Sequence, residues 1–77
     1  MAEMINVNSA QIISNYTKDQ KKYYIEIFYI DNGIQAFASF QENINKIGAS
    51  IVGSGYHTTN KKLAIDSAIA NLILQLN

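Results

Sequence analysis

The dipeptide Asn32-Gly33 divides the segment KKYYIEIFYIDNGIQAFASF into two runs rich in isoleucine and aromatic residues. Asn-Gly is the strongest short hairpin signal, because both central residues of a type I′ turn need a positive φ. We therefore predict two antiparallel strands joined by the turn Asp31-Asn32-Gly33-Ile34. This turn sets which residues lie opposite each other and which share a face of the sheet.

One face of the predicted hairpin is apolar and has three opposing pairs: Ile25 with Phe40, Ile27 with Ala38, and Tyr29 with Ala36. The other face has four opposing pairs: Tyr24 with Gln41, Glu26 with Ser39, Phe28 with Phe37, and Ile30 with Gln35. The apolar face is expected to lie against the core.

The second face of the hairpin carries the adjacent pair Phe28 and Phe37, together with Tyr24, Ile30 and Val52. A sheet covered on one side usually has polar residues on the other, so an exposed aromatic patch indicates a binding surface. A protein partner or self-association fits this face better than RNA bases, because the face has an acidic residue and no lysine. A cross-strand aromatic pair without a partner is the alternative.

The remaining segments predict two helices and a third strand. A short helix is predicted from about Asn8 to Asp19, because Ala10, Ile13 and Tyr16 would fall on one face of it. The segment INKIGASIVG is predicted as a strand. Its core-facing residues would be Ile47, Ala49 and Ile51. A C-terminal helix is predicted to begin after Asn60, which would be its N-cap. Its buried face would consist of Ile65, Ala68, Ile69, Leu72, Ile73 and Leu76.

These elements predict an α+β fold with the order α-β-β-β-α. The three strands would form an antiparallel sheet, with both helices packed on one face. With 77 residues the chain has the size of a single domain with one small core, and we assign residues 1–77 to it.

The C-terminal helix also has a second apolar stripe, away from its buried face. Leu63, Ala70 and Leu74 gather there, with Ser67 between them. The heptad-like spacing could dock another helix from a partner or a second copy. Alternatively, the first helix or the end of the chain covers the stripe.

The composition limits the class of protein. Six lysines balance six acidic residues, there is no arginine, and the absence of cysteine excludes disulfides and thiolate metal sites. We expect a cytoplasmic protein, because the lack of cysteine fits a reducing compartment and the N-terminus has no secretory pattern. No apolar run approaches the roughly 18 residues of a membrane span, so no membrane association is expected.

Catalytic patterns are also missing from the sequence. His57 is the only histidine and has no acidic residue at ligand spacing. We find no Ser/His/Asp arrangement, no paired carboxylates and no nucleotide-binding loop. We therefore expect a protein that is not an enzyme and that needs neither a metal nor a cofactor.

The segment GSGYHTTNKKLAIDSAIANLILQL resembles the end of the double-stranded RNA-binding domain. In that family the third strand ends in a Gly-x-Gly turn, and a Lys-Lys-x-Ala-Lys run opens the second helix. The matching residues here are Gly53, Gly55, Lys61, Lys62, Ala64 and Ala68. The chain departs from the family at the third lysine, which is Ile65, and in the hairpin turn, which lacks the family's Gly-Pro-x-His.

The resemblance implies that the chain binds duplex RNA without catalysis, by holding phosphates at the start of the C-terminal helix. A helix N-terminus attracts anions, and two lysines in the first turn add positive charge. The implied contact residues are Tyr56, His57, Thr59, Asn60, Lys61 and Lys62. A second group of lysines, Lys18, Lys21 and Lys22, could contribute.

The alternative function is a small protein-interaction or homodimerisation module, such as a viral or phage inhibitor of a host protein. It would use the aromatic face at Phe28 and Phe37 or the helix stripe at Leu63 and Leu74. The net charge of zero favours this alternative. The lysine pair at the start of the helix favours RNA.

Overall fold

The computed structural model describes residues 7–41 and 51–75. These form the strands β1 (Val7–Lys18), β2 (Lys21–Ile30), β3 (Gly33–Phe40) and β4 (Gly53–His57), followed by the helix α1 (Lys61–Leu74). The strands make one antiparallel sheet in the order β1-β2-β3-β4. The helix packs on one face of this sheet, mainly over β3 and β4. The protein is therefore an α+β domain, but the predicted order α-β-β-β-α is wrong.

The segment predicted as the first helix is strand β1. It pairs with β2 along its length, and a bulge interrupts the register between Ile13 and Tyr16. In a regular strand, residues three apart face opposite sides of the sheet. The bulge instead brings Ile13 and Tyr16 to the same side, where both pack against the core. The spacing that indicated a helical face is thus the spacing of a bulged strand.

The predicted hairpin between β2 and β3 is present, with a register shifted by two residues. Its turn residues are Asp31 and Asn32, so Ile30 lies opposite Gly33. A contact from β4 accompanies this register. The Tyr56 hydroxyl donates a hydrogen bond to the carbonyl of Asn32, and the Tyr56 ring occupies the space that a Cβ at Gly33 would need.

The shift by two residues leaves the two faces of the hairpin unchanged, because side chains alternate with a period of two. Ile25 now lies opposite Ala38 and Ile27 opposite Ala36, and all four are fully buried. Phe28 lies opposite Gln35 rather than Phe37.

The last strand differs from the prediction. Strand β4 spans Gly53–His57, and Ile51 precedes it with 40% of its surface exposed, so the core position predicted for Ile51 is wrong. The other two predicted core residues, Ile47 and Ala49, lie outside the described residues.

The helix α1 begins where the sequence predicts. The Asn60 side chain accepts a hydrogen bond from the backbone N–H of Leu63 at 3.1 Å, which is an N-cap contact. Four predicted core residues are buried, while Ile73 is 44% exposed and Leu76 lies outside the described residues. The buried residues of the helix are Ala64, Ile65, Ala68, Ile69 and Leu72, and they pack on Tyr23, Ile25, Ile27, Ile34, Ala36 and Ala38 of the sheet.

The turn between β1 and β2 offers a test of the fold. Its two central residues, Asp19 and Gln20, have φ values of 52° and 69°. Glutamine rarely adopts this left-handed conformation, which costs about 1–2 kcal/mol for a residue with a Cβ. We expect Gln20→Gly to raise the free energy of unfolding by about 0.5–1 kcal/mol in urea denaturation, after the greater freedom of glycine in the unfolded chain is included. Gln20→Ala is the matched control and should give no gain; an equal gain from alanine would contradict the prediction.

Candidate interaction surfaces

The face of the sheet opposite α1 is termed the open face. The strand alternation places on it the apolar residues Ile12, Tyr24, Phe28, Ile30, Phe37 and Tyr56. The rings of Phe28 and Phe37 meet diagonally across the strands, with centroids 5.8 Å apart and planes at 71°. This edge-to-face arrangement is favourable and holds both rings in place. Within the described part of the chain, no element covers this face.

The most exposed side chains of the open face lie at its margins. Ile12 on β1 is 59% exposed and Tyr56 on β4 is 44% exposed, whereas the central phenylalanines shield each other and are half-buried. Val52, just before β4, is also exposed. The charged strand residues described on this face are Glu26 and Lys22, which balance each other, so the expectation that the face has no lysine is wrong. The open face is therefore apolar and close to neutral.

The residues predicted to hold RNA phosphates lie together at the start of α1, but several of them bond within the chain. His57 Nδ1 accepts hydrogen bonds from the backbone N–H groups of Thr59, at 3.1 Å, and Asn60, at 2.9 Å. The Asn60 side chain caps the helix. Tyr56 binds the carbonyl of Asn32. The backbone N–H groups of Thr59, Asn60 and Leu63 are thus already hydrogen-bonded within the chain and are not free for a phosphate.

The lysines of two separate sequence clusters meet at Asp66. Lys18 Nζ lies 2.8 Å and Lys62 Nζ 3.0 Å from the two carboxylate oxygens of Asp66. Lys61 Nζ lies 3.5 Å from the side-chain oxygen of Gln11. Three lysines and one aspartate leave a net charge of two positive units at this end of the helix. The sequence alone does not indicate the contact between Lys18 and Asp66, although the spacing of Lys62 and Asp66 is typical of a helical ion pair.

The ion pairs also shift the pKa values of these groups. The hydrogen bond from Lys18, with a second from Lys62, holds the pKa of Asp66 below its ordinary value. The same contact raises the pKa of Lys18 above its ordinary value. Asp66 is therefore charged at neutral pH and offsets part of the positive charge that an RNA phosphate would meet.

The Gly-x-Gly motif has a structural role. Gly53 and Gly55 are buried on β4 and face α1. A Cβ at Gly53 would lie 2.7 Å from the Cα of Leu72, and one at Gly55 would overlap backbone atoms of Ala64 and Ala68. The two glycines therefore let the helix lie directly on the strand. This close packing explains the motif without a phosphate, since strand glycines often mark such close approach.

The second stripe of α1, termed the outer stripe, consists of Leu63, Ser67, Ala70 and Leu74. All four are exposed, Leu63 to 46% and Leu74 to 65%. The predicted first helix was one element that could cover this stripe. That segment is strand β1 of the sheet, so no such helix covers the stripe.

The described residues contain no group of three or more histidine, cysteine, aspartate or glutamate side chains that could hold a metal ion. Their one helix is too short to cross a membrane.

Comparison with known proteins finds no matching family model, no matching curated protein and no matching solved structure.

Proposed function

We propose that this chain is a non-catalytic protein-interaction module that binds an apolar segment of a partner on its open face. The observation that carries the proposal is the Phe28–Phe37 pair, held edge-to-face on a side of the sheet that α1 does not cover. Apolar residues on the exposed side of a sheet are costly for solubility, and such patches mark interaction sites.

The composition of the open face supports a protein partner over a nucleic acid. Tyrosine and phenylalanine are enriched in the centres of protein interfaces, while charged residues are depleted there. The face presents Tyr24, Phe28, Phe37 and Tyr56 and is close to neutral. Its aromatic side chains project from paired strands, so little conformational entropy is lost on binding. A polyanion would find no net attraction on this surface.

A displayed peptide library tests the proposal with matched variants. Peptides selected on the wild-type protein should be apolar or aromatic, and should bind the double variant F28S/F37S at least about tenfold more weakly. The control K61A/K62A should bind them as the wild type does, because its substitutions lie at the start of α1. Urea denaturation of both variants, and the single variant F37S, separates loss of binding from loss of folding.

Two results would contradict the proposal. One is a library that yields no peptide preferring the wild type to the folded F28S/F37S variant. The other is selected peptides whose binding depends on Lys61 and Lys62 instead.

Duplex RNA is a second candidate ligand, favoured by one observation. The contact of Lys18 and Lys62 with Asp66 brings Lys18 to the first turns of α1, where Lys61 and Lys62 also lie. So few cations would give weak binding that falls steeply with salt. Fluorescence anisotropy with a duplex of about 16–20 base pairs measures it. Binding at low salt that K61A/K62A abolishes would support RNA; no binding by the wild type at low salt would exclude it.

A further inference from the structure

The outer stripe of α1 is symmetric along the helix. Leu63 and Leu74 stand at its ends, Ser67 and Ala70 in its middle, and both pairs are centred between Ala68 and Ile69. A two-fold axis through that centre would place Leu63 opposite the second copy's Leu74, and Ser67 opposite the second copy's Ala70. A two-fold interface requires a surface that matches itself in this way.

The charges at the helix ends match the same arrangement. The first turn of α1 carries Lys61 and Lys62 and no acidic residue, and the last turn has no basic residue. Both features are unfavourable for an isolated helix, whose N-terminus is partially positive and whose C-terminus is partially negative. An antiparallel pair brings Lys62, with 74% of its side chain exposed, beside the C-terminus of the other helix. Each helix then supplies the positive charge that the other lacks.

No like charges oppose each other in this register. Lys62 would lie opposite the second copy's Gln75, and Asp66 opposite the second copy's Asn71. Small side chains in the middle of the stripe allow the two helix axes to approach to about 8 Å, the close end of the usual range. The leucines at the ends then pack over the small residues.

From these observations we infer that two copies of the chain associate through the outer stripe, with their α1 helices antiparallel and Leu63 against the second copy's Leu74. A helix of 14 residues is about 21 Å long, so the contact is small. Interfaces of that size form weak, concentration-dependent complexes. The inference does not rest on the proposed function, because the outer stripe and the open face lie on opposite sides of the molecule. The dimer leaves both open faces free.

Light scattering and sedimentation of the full chain, from about 1 µM to 1 mM, test the inference. The wild-type mass should rise from 8.6 kDa toward twice that value as concentration increases. The variants L63K and L74E should each stay monomeric at every concentration. Both substitutions lie on exposed positions, so the fold should survive, and urea denaturation checks this.

Mixing the two variants tests the register. In the antiparallel pair, the introduced lysine of one variant meets the introduced glutamate of the other, while the remaining two leucines still pack together. The mixture should therefore contain dimers that neither variant forms alone. F28S/F37S should dimerise like the wild type.

Three results would overturn the inference. They are a wild type that stays monomeric throughout, an L74E variant that dimerises normally, and a mixture of L63K with L74E that stays monomeric. If F28S/F37S alone loses the dimer, the copies associate through the open face, which overturns the inference and leaves the proposed role of that face standing.

Discussion

Replacing Gly55 with alanine should destabilise the protein by about 3 kcal/mol, at the upper end of the range for overpacking a core. A Cβ at this position would overlap the carbonyl oxygen of Ala64 and the amide nitrogen of Ala68, and would lie 2.8 Å from the Cβ of Ser67. The first two are backbone atoms of α1. The helix can avoid them only by moving off β4, which would open the core beneath it. Urea denaturation monitored by circular dichroism measures the loss.

The neighbouring residue provides the control for Gly55→Ala. Ser54 is exposed and faces away from the helix on the same strand, so Ser54→Ala should change the stability by less than about 0.5 kcal/mol. Adding Ser67→Gly to Gly55→Ala should not restore the stability, because the backbone overlaps remain. A restored stability would mean that the side chain of Ser67, rather than the helix backbone, limits the approach.

Replacing Ile27 with alanine should cost about 2–5 kcal/mol, because it removes a large side chain from the centre of the core. Ile27 is fully buried on β2, opposite Ala36, and the small alanines around it cannot expand to fill the space. Domains have a stability of only about 0.05–0.15 kcal/mol per residue, so this loss is a large part of the total. The midpoint of urea unfolding should fall accordingly.

An isoleucine on the neighbouring strand serves as the control for Ile27→Ala. Ile12 is 59% exposed on the open face, and Ile12→Ala should have little effect on folding. If both substitutions lowered the free energy of unfolding by the same amount, the sheet would have to be covered on the side opposite α1, contrary to the packing described above.

Part of this fold follows from sequence patterns, and the local signals were the dependable ones. The β2–β3 hairpin and the start of α1 were predicted because turn and capping residues act within a few positions of the chain. The predicted hairpin register was wrong by two residues; the observed register is accompanied by a contact from Tyr56 of β4, which no local pattern indicates. The residues predicted on each face of the hairpin were nevertheless correct, because a register shift by an even number of residues keeps every side chain on its face of the sheet.

The strand β1 could not be recognised from local patterns. Its bulge spaces Ile13 and Tyr16 three residues apart on one face, which is also the spacing of a helix. Unless the pairing with β2 is known, a bulged strand and a helix cannot be distinguished from this spacing.

The candidate sites were predicted unevenly, for a similar reason. The open face and the outer stripe follow from alternation and helical periodicity, so the positions of Phe28, Phe37, Leu63 and Leu74 on these two surfaces could be predicted. The Gly-x-Gly motif was ambiguous, because glycine serves both turns and close packing. The ion pair between Lys18 and Asp66 joins residues 48 positions apart, so no local sequence pattern predicts it.

The order of the strands has a consequence for how the chain reaches this fold. Each strand pairs with the next one along the sequence, two-residue turns close the first two hairpins, and α1 docks on the strand that immediately precedes it. Because neighbouring strands of the sheet are also neighbours in sequence, closing each hairpin costs less loop-closure entropy than pairing strands that lie far apart in the chain. Such a sheet can assemble hairpin by hairpin, and we expect it to refold faster than β proteins whose neighbouring strands lie far apart in sequence.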